Sequence, residues 1–582
     1  MSPERLLEHF EQISEAPDAI PHLRRFILDL AVRGKLVDQD PKDEPAAELL
    51  MRIQAERSRL EDKGVMRPPK PATPIADTEI LFPIPESWKW VRLAEVGSVV
   101  GGGTPPSKDD SCFTTGGKGI AWLTPADLGK HDSLYVAHGA RDLTEKGIKE
   151  SSAQLMPPGS VLFTSRAPIG YTAIARNSIA TNQGFKSVVP FVMESNRYIA
   201  TYFRAFAPWI DGKASGTTFK EVSGKIVANL PFPLPPLAEQ HRIVAKVDDL
   251  MKMCDKLEVS QAKRERRRDR LVAATLYGLN NGVKDENSDE YLSFEESTRF
   301  YFNHLPRLTT RPGHIHQLRQ TILNLAVRGK LVPQDPKDDP ASELLKRIEK
   351  ERERLLNAGD PNEAEARTQL RKQYQQTIPD NVAALPHGWA WATLLQCSHI
   401  VVDCHNKTAP YVSSGTLLLR TSNIRNGKLV LDDVRFVNDK TYARWSLRCE
   451  PTAGDILITR EAPMGEVAQI PTGLNVCMGQ RLMLIRLIKN SIDPDYLLYS
   501  LRDPFLMKRV QDKPVGATVQ HLRVGGVETL LVPVPPLAEQ HRIVVRVDQL
   551  MRLCDELEHR ITAATDTRRR FLESTLQQAL AS

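Results

Sequence analysis

The sequence predicts a mixed α/β protein in which two globular α/β domains are separated by long helices, all within an internal tandem duplication. Three observations lead to this fold class. Two helical blocks each occur twice in the 582 residues, the second block has the apolar period of a long helix, and the stretches between the blocks contain strand-like runs.

The duplication is visible in two pairs of matching segments. Residues 23–53 and 318–348 are identical at about three quarters of their positions, and their numbers differ by 295. Residues 233–258 and 533–558 match at a difference of 300. Between these blocks only short anchors match, such as Pro168-Ile169-Gly170 with Pro463-Met464-Gly465. The chain therefore contains two copies of the order helical block, variable segment, helical block.

The first helical block predicts two helices. Apolar residues follow the i, i+3, i+4, i+7, i+8 spacing of one helix face at Leu23, Phe26, Ile27, Leu30 and Ala31. Gly34 stands where a helix C′ residue is expected, and Gly329 repeats it. Glu44-Pro45 and Asp339-Pro340 have the pattern of an N-cap followed by proline at N1. We expect the next helix to end near Gly64.

The second helical block predicts a long helix with a coiled-coil seam. Spacings of 4, 3, 4 and 3 residues separate Ile243, Val247, Leu250, Cys254 and Leu257, and the second copy repeats them from Ile543 onward. A period of 3.5 residues is the a/d pattern of a coiled coil. The seam turns polar at Gln261 and Arg264, so we expect its pairing to change there.

The variable segments, 84–235 and 384–535, each predict a mixed α/β domain. Strand-like runs occur at 160–164 and 455–459. Each segment has a net charge of +4, whereas the whole chain has +6, so the positive charge lies in the variable domains. This sign permits a nucleic-acid partner. The helical regions are then 1–83 at the N-terminus, 236–383 in the centre and 536–582 at the C-terminus.

The composition, with 41% hydrophobic and 26% charged residues, excludes a wholly disordered or fibrous chain. No apolar run approaches the roughly 18 residues of a membrane span, and the charged start of the chain does not resemble a signal peptide. The seven cysteines are scattered and show no disulfide framework. We therefore expect a cytoplasmic protein with no membrane partner.

The sequence lacks the motifs of a nucleotide-hydrolysing or base-modifying enzyme. It has no G-x-x-x-x-G-K-[ST] phosphate loop, and none of its Pro-Pro pairs follows Asn or Asp, as the Asn/Asp-Pro-Pro-aromatic motif of amino-methyltransferases requires. The glycine-rich run 101–105 lacks a following Lys-Ser or Lys-Thr, so we interpret it as a turn in a binding surface. We therefore predict no catalytic residue, metal or cofactor in this chain.

Three weaker motifs have a structural interpretation that we prefer. Cys397-x-His399 and Cys404-His405 match no zinc pattern. Glu61-Asp62-Lys63 resembles the end of a nuclease motif but stands at the end of a predicted helix. The basic runs at 266–270 and 568–570 are typical of a solvated helix face, and a contact with DNA phosphate or an acidic partner is the alternative.

The duplicated blocks point to a known family. The paired Pro-Pro-Leu-Ala-Glu-Gln-His-Arg-Ile and Leu-Ala-Val-Arg-Gly-Lys-Leu-Val runs, with Gly-Gly-Thr-Pro at 102–105, resemble the specificity (S) subunits of type I restriction–modification enzymes. The resemblance covers nearly the whole chain. It implies that 84–235 and 384–535 are target recognition domains, that each reads one half of a split sequence in double-stranded DNA, and that an antiparallel coiled coil spaces them.

The resemblance also implies the partners. Two methyltransferase (M) subunits would dock on the duplicated helices, and restriction (R) subunits would join the complex through them. S-adenosylmethionine, ATP and magnesium would then belong to those partner subunits. The alternative is a stand-alone DNA-binding scaffold or adaptor with no methyltransferase partner.

Candidate DNA-binding residues follow from the resemblance and from side-chain chemistry. Arg, Asn and Gln can make bidentate contacts with guanine or adenine in the major groove. In the first domain we select Thr104, Arg166, Asn182, Gln183, Lys186 and Lys220. In the second domain we select Arg420, Asn423, Arg425, Gln480, Arg481 and Gln520.

The two sets of candidates do not correspond by sequence. Arg166 falls opposite Glu461 when the Pro-x-Gly anchors are aligned. Asn182-Gln183-Gly184 meets Met478-Gly479-Gln480 without a clean register. We therefore expect that base-reading residues cannot be transferred from one domain to the other.

Overall fold

The computed structural model describes residues 16, 18–64, 73–129, 133–166, 168–214, 220–281, 283–284, 291–292, 294–405, 407–504, 506–507 and 522–581. The chain forms two compact units. Unit 1 comprises residues 1–264 and 565–582, and unit 2 comprises residues 265–564. Each unit therefore includes one variable domain and a part of each long helix. The boundaries of the five predicted regions stay a prediction.

Unit 1 contains helices and strands in alternation. The long helix named last here belongs to unit 1 only up to Arg264, and the last helix of unit 2 belongs to that unit only up to Ala564. The helices of unit 1 are α1 Ala19–Val32, α2 Ala46–Asp62, α3 Leu93–Val96, α4 Pro125–Leu128, α5 Glu145–Lys149, α6 Asn196–Asp211, α7 Gly224–Ala228 and the long helix α8 Leu237–Asn281. Its strands are β1 Lys89–Arg92, β2 Gly97–Gly101, β3 Phe113–Thr115, β4 Ala121–Leu123, β5 Tyr135–Val136, β6 Arg141–Leu143, β7 Val161–Phe163, β8 Thr172–Ala175, β9 Ile179–Thr181, β10 Lys186–Pro190 and β11 Pro231–Leu234.

The strands of unit 1 arrange the variable domain around a twisted sheet. The order of this sheet is β2-β10-β7-β8-β5, and β4 pairs in parallel with β9 beside it. The first and last strands, β1 and β11, pair antiparallel from Lys89 opposite Leu234 to Arg92 opposite Pro231. The domain therefore begins and ends at one place. The strand expected at 160–164 is confirmed as β7.

Unit 2 repeats this organisation. Its helices are α9 Phe294–Leu308, α10 Pro312–Val327, α11 Ala341–Asn357, α12 Glu363–Gln373, α13 Leu394–Cys397, α14 Asp439–Trp445, α15 Pro494–Leu501, α16 Val524–Glu528 and the long helix α17 Leu537–Ala581. Its strands are β14 Ala390–Thr393, β15 Ile400–Asp403, β16 Thr416–Leu419, β17 Ile424–Arg425, β18 Lys428–Leu429, β19 Arg435–Val437, β20 Ile456–Thr459, β21 Val467–Gln469, β22 Val476–Met478, β23 Leu482–Arg486 and β24 Leu531–Val534. Before α9 stand β12 Val283–Lys284 and β13 Tyr291–Leu292.

Four strands of the central sheet and one parallel pair correspond between the two variable domains. The order β15-β23-β20-β21 matches β2-β10-β7-β8, and the parallel pair of β16 with β22 matches that of β4 with β9. The pair of β14 with β24 closes the second domain as β1 with β11 closes the first. The strand expected at 455–459 is confirmed as β20. The mixed α/β fold and the internal duplication are thus present in three dimensions.

A buried carboxylate joins the helical frame to each variable domain. In unit 1, Glu239 accepts hydrogen bonds from Trp88 Nε1 (2.9 Å) and Gln39 Nε2 (2.6 Å), and it is 1% exposed. In unit 2, Glu539 accepts the same two bonds from a tryptophan and a glutamine at 3.0 and 3.2 Å. Burial raises the pKa of Glu239, and the two donors act against this increase. The Glu of the repeated Ala-Glu-Gln run therefore has a structural explanation.

Glu239→Gln is expected to destabilise unit 1 by about 1–3 kcal/mol, because an amide can accept from only one of the two buried donors and turns its own NH2 toward the other. Hydrogen exchange resolved by unit measures this loss. Glu539→Gln is the matched variant and should act on unit 2 alone. If the amides of unit 1 and unit 2 were equally protected from exchange in the Glu239→Gln variant, the stabilising role of Glu239 in unit 1 would be contradicted.

The seam of each long helix first packs within its own unit. Ile243 and Val247 are buried in one core with the apolar residues of α1 and α6. Arg24 of α1 holds α8 through ion pairs with Asp255 and Glu258, both at 2.7 Å, and α10 repeats both pairs with α17. The boundary between the units follows Arg264, where the seam turns polar. In the N-terminal half of each long helix, the apolar residues spaced by 3.5 therefore pack on helices of the same unit.

The second half of each long helix packs in the other unit. Val272, Leu276 and Leu279 of α8 belong to the core of unit 2. Leu572 and Leu576 of α17 are buried against α1 in unit 1. The N-terminal half of one long helix thus shares a unit with the C-terminal half of the other.

The repeated Arg-Gly-Lys run caps the ends of the long helices. Lys35 Nζ donates to Leu580 O at 2.8 Å in unit 1, and Lys330 Nζ donates to Asn280 O at 3.3 Å in unit 2. The last carbonyls of a helix lack partners within the helix and carry partial negative charge, so a lysine there is stabilising. The near identity of the two blocks therefore reflects a contact that each unit makes.

The predicted ends of α1 and α2 are confirmed, but the predicted position of proline at the start of α2, and of its repeat α11, is wrong. Gly34 and Gly329 adopt φ of +70° and +66°, as expected of C′ glycines, and Gly64 follows α2. However, Pro45 and Pro340 occupy the N-cap itself and not N1. The reason is that the first free amide, that of Ala46, donates to Ser87 O (3.0 Å) and needs no capping side chain.

Gly34→Ala is expected to destabilise unit 1 by about 2–5 kcal/mol. A left-handed alanine costs roughly 1–2 kcal/mol, and overpacking adds about 1–3 kcal/mol, since the new Cβ would lie 2.5 Å from Pro85 Cγ. Gly64→Ala is the matched control, because φ is +67° there and no atom lies within 4 Å of its Cβ. Denaturant unfolding should show the smaller loss for Gly64→Ala. Equal losses would contradict the role of the Pro85 contact.

Candidate nucleic-acid interface

Four segments of unit 1 meet at one end of the sheet and form what we call the first loop cluster, residues 102–106, 164–166, 182–186 and 220–222. Ser165 N donates to Gly184 O (2.8 Å), and Val222 N donates to Ser165 O (3.0 Å). Gly103 N donates to Thr181 O (2.8 Å). Backbone hydrogen bonds therefore fix these four segments side by side.

Glycine is required at positions 102 and 103 because other backbone segments lie very close to them. A phosphate-binding role is not needed to explain these glycines. A Cβ on Gly102 would lie 1.9 Å from Asn182 O, and one on Gly103 would lie 2.4 Å from Ala153 N. Only glycine fits where two backbones approach so closely. This close passage places Thr104 beside Gln183, and the interpretation of the run as a turn in a binding surface stays a prediction.

The six residues selected in the first domain lie in or beside this cluster. Glu221 pairs with Arg166 (2.9 Å) and with Lys186 (3.3 Å). Thr104 Oγ1 donates to Gln183 Oε1, and Lys186 Nζ donates to Gln183 O (3.3 Å). Asn182 Oδ1 accepts from Gly184 N, and Lys220 is exposed. The cluster thus presents three cations and two amides around one carboxylate.

Unit 2 has a second loop cluster, residues 404–405, 407–409, 459–461, 479–483 and 522. Arg460 N donates to Arg481 O, and Leu522 N donates to Arg460 O, both at 2.8 Å. These bonds repeat those of Ser165 with Gly184 and Val222. Thr459 Oγ1 donates to Pro463 O (2.6 Å), as Thr164 Oγ1 does to Pro168 O (2.8 Å). The two clusters therefore have the same backbone framework.

This framework supplies the register that the sequence lacked. Asn182 N donates to Leu123 O and Gly479 N donates to Leu419 O, at the ends of the corresponding parallel strands. Asn182 therefore corresponds to Gly479, Gln183 to Gln480 and Gly184 to Arg481. The register that the sequence left open is thus fixed for this glutamine, and the expectation that base-reading residues do not transfer between the domains stays a prediction. The correspondence of Arg166 with Glu461 is confirmed.

The side chains of the second cluster differ from those of the first. Arg481 Nε lies 3.3 Å from Glu461 Oε1, and Arg460 Nε donates to Leu522 O at 2.9 Å. Thr408 Oγ1 donates to Gln480 Oε1 at 3.3 Å. Burial and the neighbouring Arg481 lower the pKa of Arg460, yet a guanidinium remains charged at neutral pH. Sequence reasoning missed Arg460, although its place directly after a buried strand was an available signal.

Three other candidates of the second domain have structural contacts. Asn423 is 2% exposed, and its amide accepts from Arg420 N and donates to Val430 O and Asp433 O. Asp127 holds the corresponding turn of unit 1 through Thr124 N, so Asn423 has a structural role in this turn, and its selection as a DNA-binding residue stays a prediction. Arg420 pairs with Asp433 (2.9 Å).

Arg425 lies on the β17–β18 hairpin, outside the second loop cluster. Its NH1 donates to Thr421 O (2.6 Å) and Ile424 O (2.5 Å), so this guanidinium stabilises its own hairpin. Gln520 lies outside the described residues. Of the second set, Gln480 and Arg481 thus lie in the cluster, and Arg420 adjoins it through Gly479.

The cysteine–histidine motifs do not form a metal site among the described residues. Cys404 Sγ donates to Met478 O (3.0 Å), and burial raises the pKa of this thiol to about 12. In the part of the chain that is described, Asp109, Cys112 and Glu150 are the group whose ligand atoms lie within 4.8 Å of one another. Lys146 Nζ lies 2.7 Å from Asp109 and 3.9 Å from Glu150 there, so one ammonium already offsets part of the charge of the two carboxylates.

The remaining sequence motifs are helical. Glu61-Asp62-Lys63 forms the end of α2, as predicted, with Glu61 paired to Arg57 at 2.8 Å. The basic runs lie on α8 and α17, where 568–570 are exposed. All seven cysteines are buried with free thiols. Among the described residues, no helix is both long and apolar enough to cross a bilayer.

Comparisons with known proteins agree with the duplication. The family model described as the type I restriction modification DNA specificity domain matches residues 85–265 and 410–565. The chain is 30% identical to the EcoAI type I restriction enzyme specificity subunit of Escherichia coli, covering 96% of this chain and 94% of that protein. It is 28% identical to the EcoEI specificity subunit of Escherichia coli over the same shares.

A solved structure is also similar. The HsdS subunit from Thermoanaerobacter tengcongensis is 18% identical, and the match covers 86% of this chain and 99% of that one, with a TM-score of 0.38. The family model covers more than half of this chain, and the EcoAI subunit aligns with almost all of it. The chain therefore belongs to the family of type I restriction enzyme specificity subunits, the non-catalytic DNA-recognition components of type I restriction–modification systems.

Proposed function

We propose that each loop cluster reads one half of a bipartite sequence in double-stranded DNA. The observation that carries this proposal is a single backbone framework, present twice, with different side chains on it. Arg166 and Lys186 in the first cluster, and Arg460 and Arg481 in the second, provide the cations that DNA phosphates attract and the donors that guanine accepts. Because the side chains differ, the two half-sites need not be related by symmetry.

We propose that the duplicated frame binds two methyltransferase subunits and, through them, restriction subunits. A frame that repeats its helices and their contacts offers two similar docking faces. The long helices α8 and α17 would set the spacing between the half-sites. S-adenosylmethionine, ATP and magnesium would be bound by the partner subunits, and the complex would act in the cytoplasm, where its DNA is.

The proposed function is tested by mapping methylated bases in host DNA with and without this chain, in the presence of its neighbouring methyltransferase. The expected result is a methylated bipartite sequence that disappears when the chain is removed. The purified chain alone should not methylate or cleave DNA. Co-purification with a methyltransferase distinguishes this function from the alternative of a stand-alone adaptor. Such an adaptor would bind DNA without a methyltransferase, and its removal would leave the methylation map unchanged.

A further inference from the structure

One side-chain contact is common to both loop clusters. Thr104 Oγ1 donates to Gln183 Oε1 in the first, and Thr408 Oγ1 donates to Gln480 Oε1 in the second. The glutamines occupy the same position of the framework, one residue before the carbonyl that accepts from Ser165 N or Arg460 N. The threonines both stand in the segment that follows the edge strand, β2 or β15.

This contact survives where the neighbouring side chains have changed. At corresponding positions, Ser165 is replaced by Arg460, Arg166 by Glu461 and Gly184 by Arg481. Lys186, at the start of β10, corresponds to Met483 in β23, because Val188 and Ile485 are equivalent partners of β7 and β20. The threonine–glutamine pair is therefore the shared part of a site whose other side chains differ.

The pair leaves a hydrogen-bond donor available. Since the threonine hydroxyl occupies Oε1, the glutamine presents its NH2 group outward, and neither Gln183 nor Gln480 has an acceptor for Nε2 among the described residues. Gln183 is exposed and Gln480 is half-buried. The threonine fixes the rotamer in advance, which reduces the entropy lost when the amide binds.

The surroundings of this donor favour an anionic or electron-rich acceptor. Lys186 Nζ lies 3.3 Å from Gln183 O, and Lys220 is exposed nearby in the same cluster. In the second cluster, Arg481 follows Gln480 directly in the chain. Both glutamines therefore lie beside a cation, although the cation comes from a different position in each domain.

We propose that Gln183 and Gln480 donate Nε2–H to the same hydrogen-bond acceptor in both half-sites, so that this pair anchors the DNA and does not distinguish the halves. This inference rests on the proposed function. A contact shared by two domains that read different sequences cannot carry the difference between them. The acceptor is a phosphate oxygen, or the edge of one base that both halves contain at the same place. The difference in base sequence between the two half-sites is then read by the side chains at positions 165, 166, 184 and 186 and by those at the corresponding positions of the second domain.

The test uses the full chain with its methyltransferase partner, and the variants Gln183→Glu and Gln480→Glu. Glutamate keeps Oε1 for the threonine but replaces the NH2 donor by a second acceptor. Each variant should weaken binding to a duplex carrying the mapped target by about tenfold or more. Gln577→Glu on the exposed face of α17 adds the same charge away from both clusters and should change binding less than twofold.

The base preferences of each variant distinguish the two acceptors. An equal loss on all target variants, with unchanged preference, indicates phosphate. Loss of preference at one position, the same in each half-site for the two variants, indicates a shared base. The inference is overturned if Gln183→Glu alters preference in its own half while Gln480→Glu alters none. Binding by both variants equal to that of Gln577→Glu would also overturn it.

A second variant separates contact from positioning. Thr104→Val removes the hydroxyl that fixes Gln183 and leaves its amide intact, so a loss smaller than that of Gln183→Glu, with unchanged preference, is expected. A loss as large as that of the glutamate variant would overturn the assignment of the amide as the donor. Failure of the proposed function is a distinct result, since the wild-type complex would then bind the target no better than unrelated DNA.

Discussion

Replacing residues 84–235 with the corresponding domain of another specificity subunit is expected to change one half of the methylated sequence completely and to leave the other half unchanged. The first loop cluster lies entirely within these residues. Strands β1 and β11 pair with each other, so the exchanged domain enters and leaves the frame at one place. The donor domain should keep a tryptophan at position 88, because Trp88 donates to the buried Glu239.

Methylation mapping of the exchanged complex measures this effect. The reciprocal control replaces residues 384–535 and should change the other half only. A change of both halves in either exchange would show that the clusters do not act independently. Loss of all methylation would be informative only together with hydrogen exchange, which reports whether unit 1 still protects α1 and α2.

Deleting the chain after Ala564 is expected to destabilise unit 1 by about 3–6 kcal/mol, although the deleted residues lie at the opposite end of the sequence. Leu572 is fully buried and Leu576 is 6% exposed, and burial of each leucine is worth about 1.5–3 kcal/mol. The deletion also uncovers Phe26 on α1. Lys35 loses the helix-terminal carbonyl that it caps. These losses fall on residues 19–64, and the recognition half of unit 1 depends on that frame through Glu239.

Hydrogen exchange of α1 measures the effect of the truncation directly. Protection of α11 in unit 2 is the internal reference, because α11 packs in the core of that unit through Leu344 and Ile348. Leu572→Ala should reproduce part of the loss, about 2–5 kcal/mol. Ser574→Ala and Gln578→Ala lie on the exposed face of α17 and should leave α1 unchanged. Unchanged protection of α1 in the truncated chain would contradict this packing.

Residue type and local context predicted the first cluster better than the second. Thr104, Arg166, Asn182 and Gln183 lie together because each stands on a segment that follows a strand, where the chain leaves the sheet at one end. In the second domain the same chemistry selected residues that lie apart from the cluster. Asn423 has the donors and acceptors of a base-reading residue, but the turn uses both N–H donors and one acceptor position of its amide. Whether a polar side chain is already satisfied depends on backbone groups that the sequence does not reveal.

The sequence by itself determined the duplication, the long helices with their apolar period, the family and the positive charge of the variable domains. These features depend on repeated residues, on net charge or on the spacing of apolar residues over short segments, all of which can be read directly from the sequence. The tertiary structure alone decided which residues correspond between the domains and why the repeated blocks are nearly identical. Gln183 and Gln480 match because hydrogen bonds join segments that are far apart in the chain, and Glu239 is fixed by a glutamine 200 residues away. Such contacts have no period along the sequence, so they become visible only when the chain has folded.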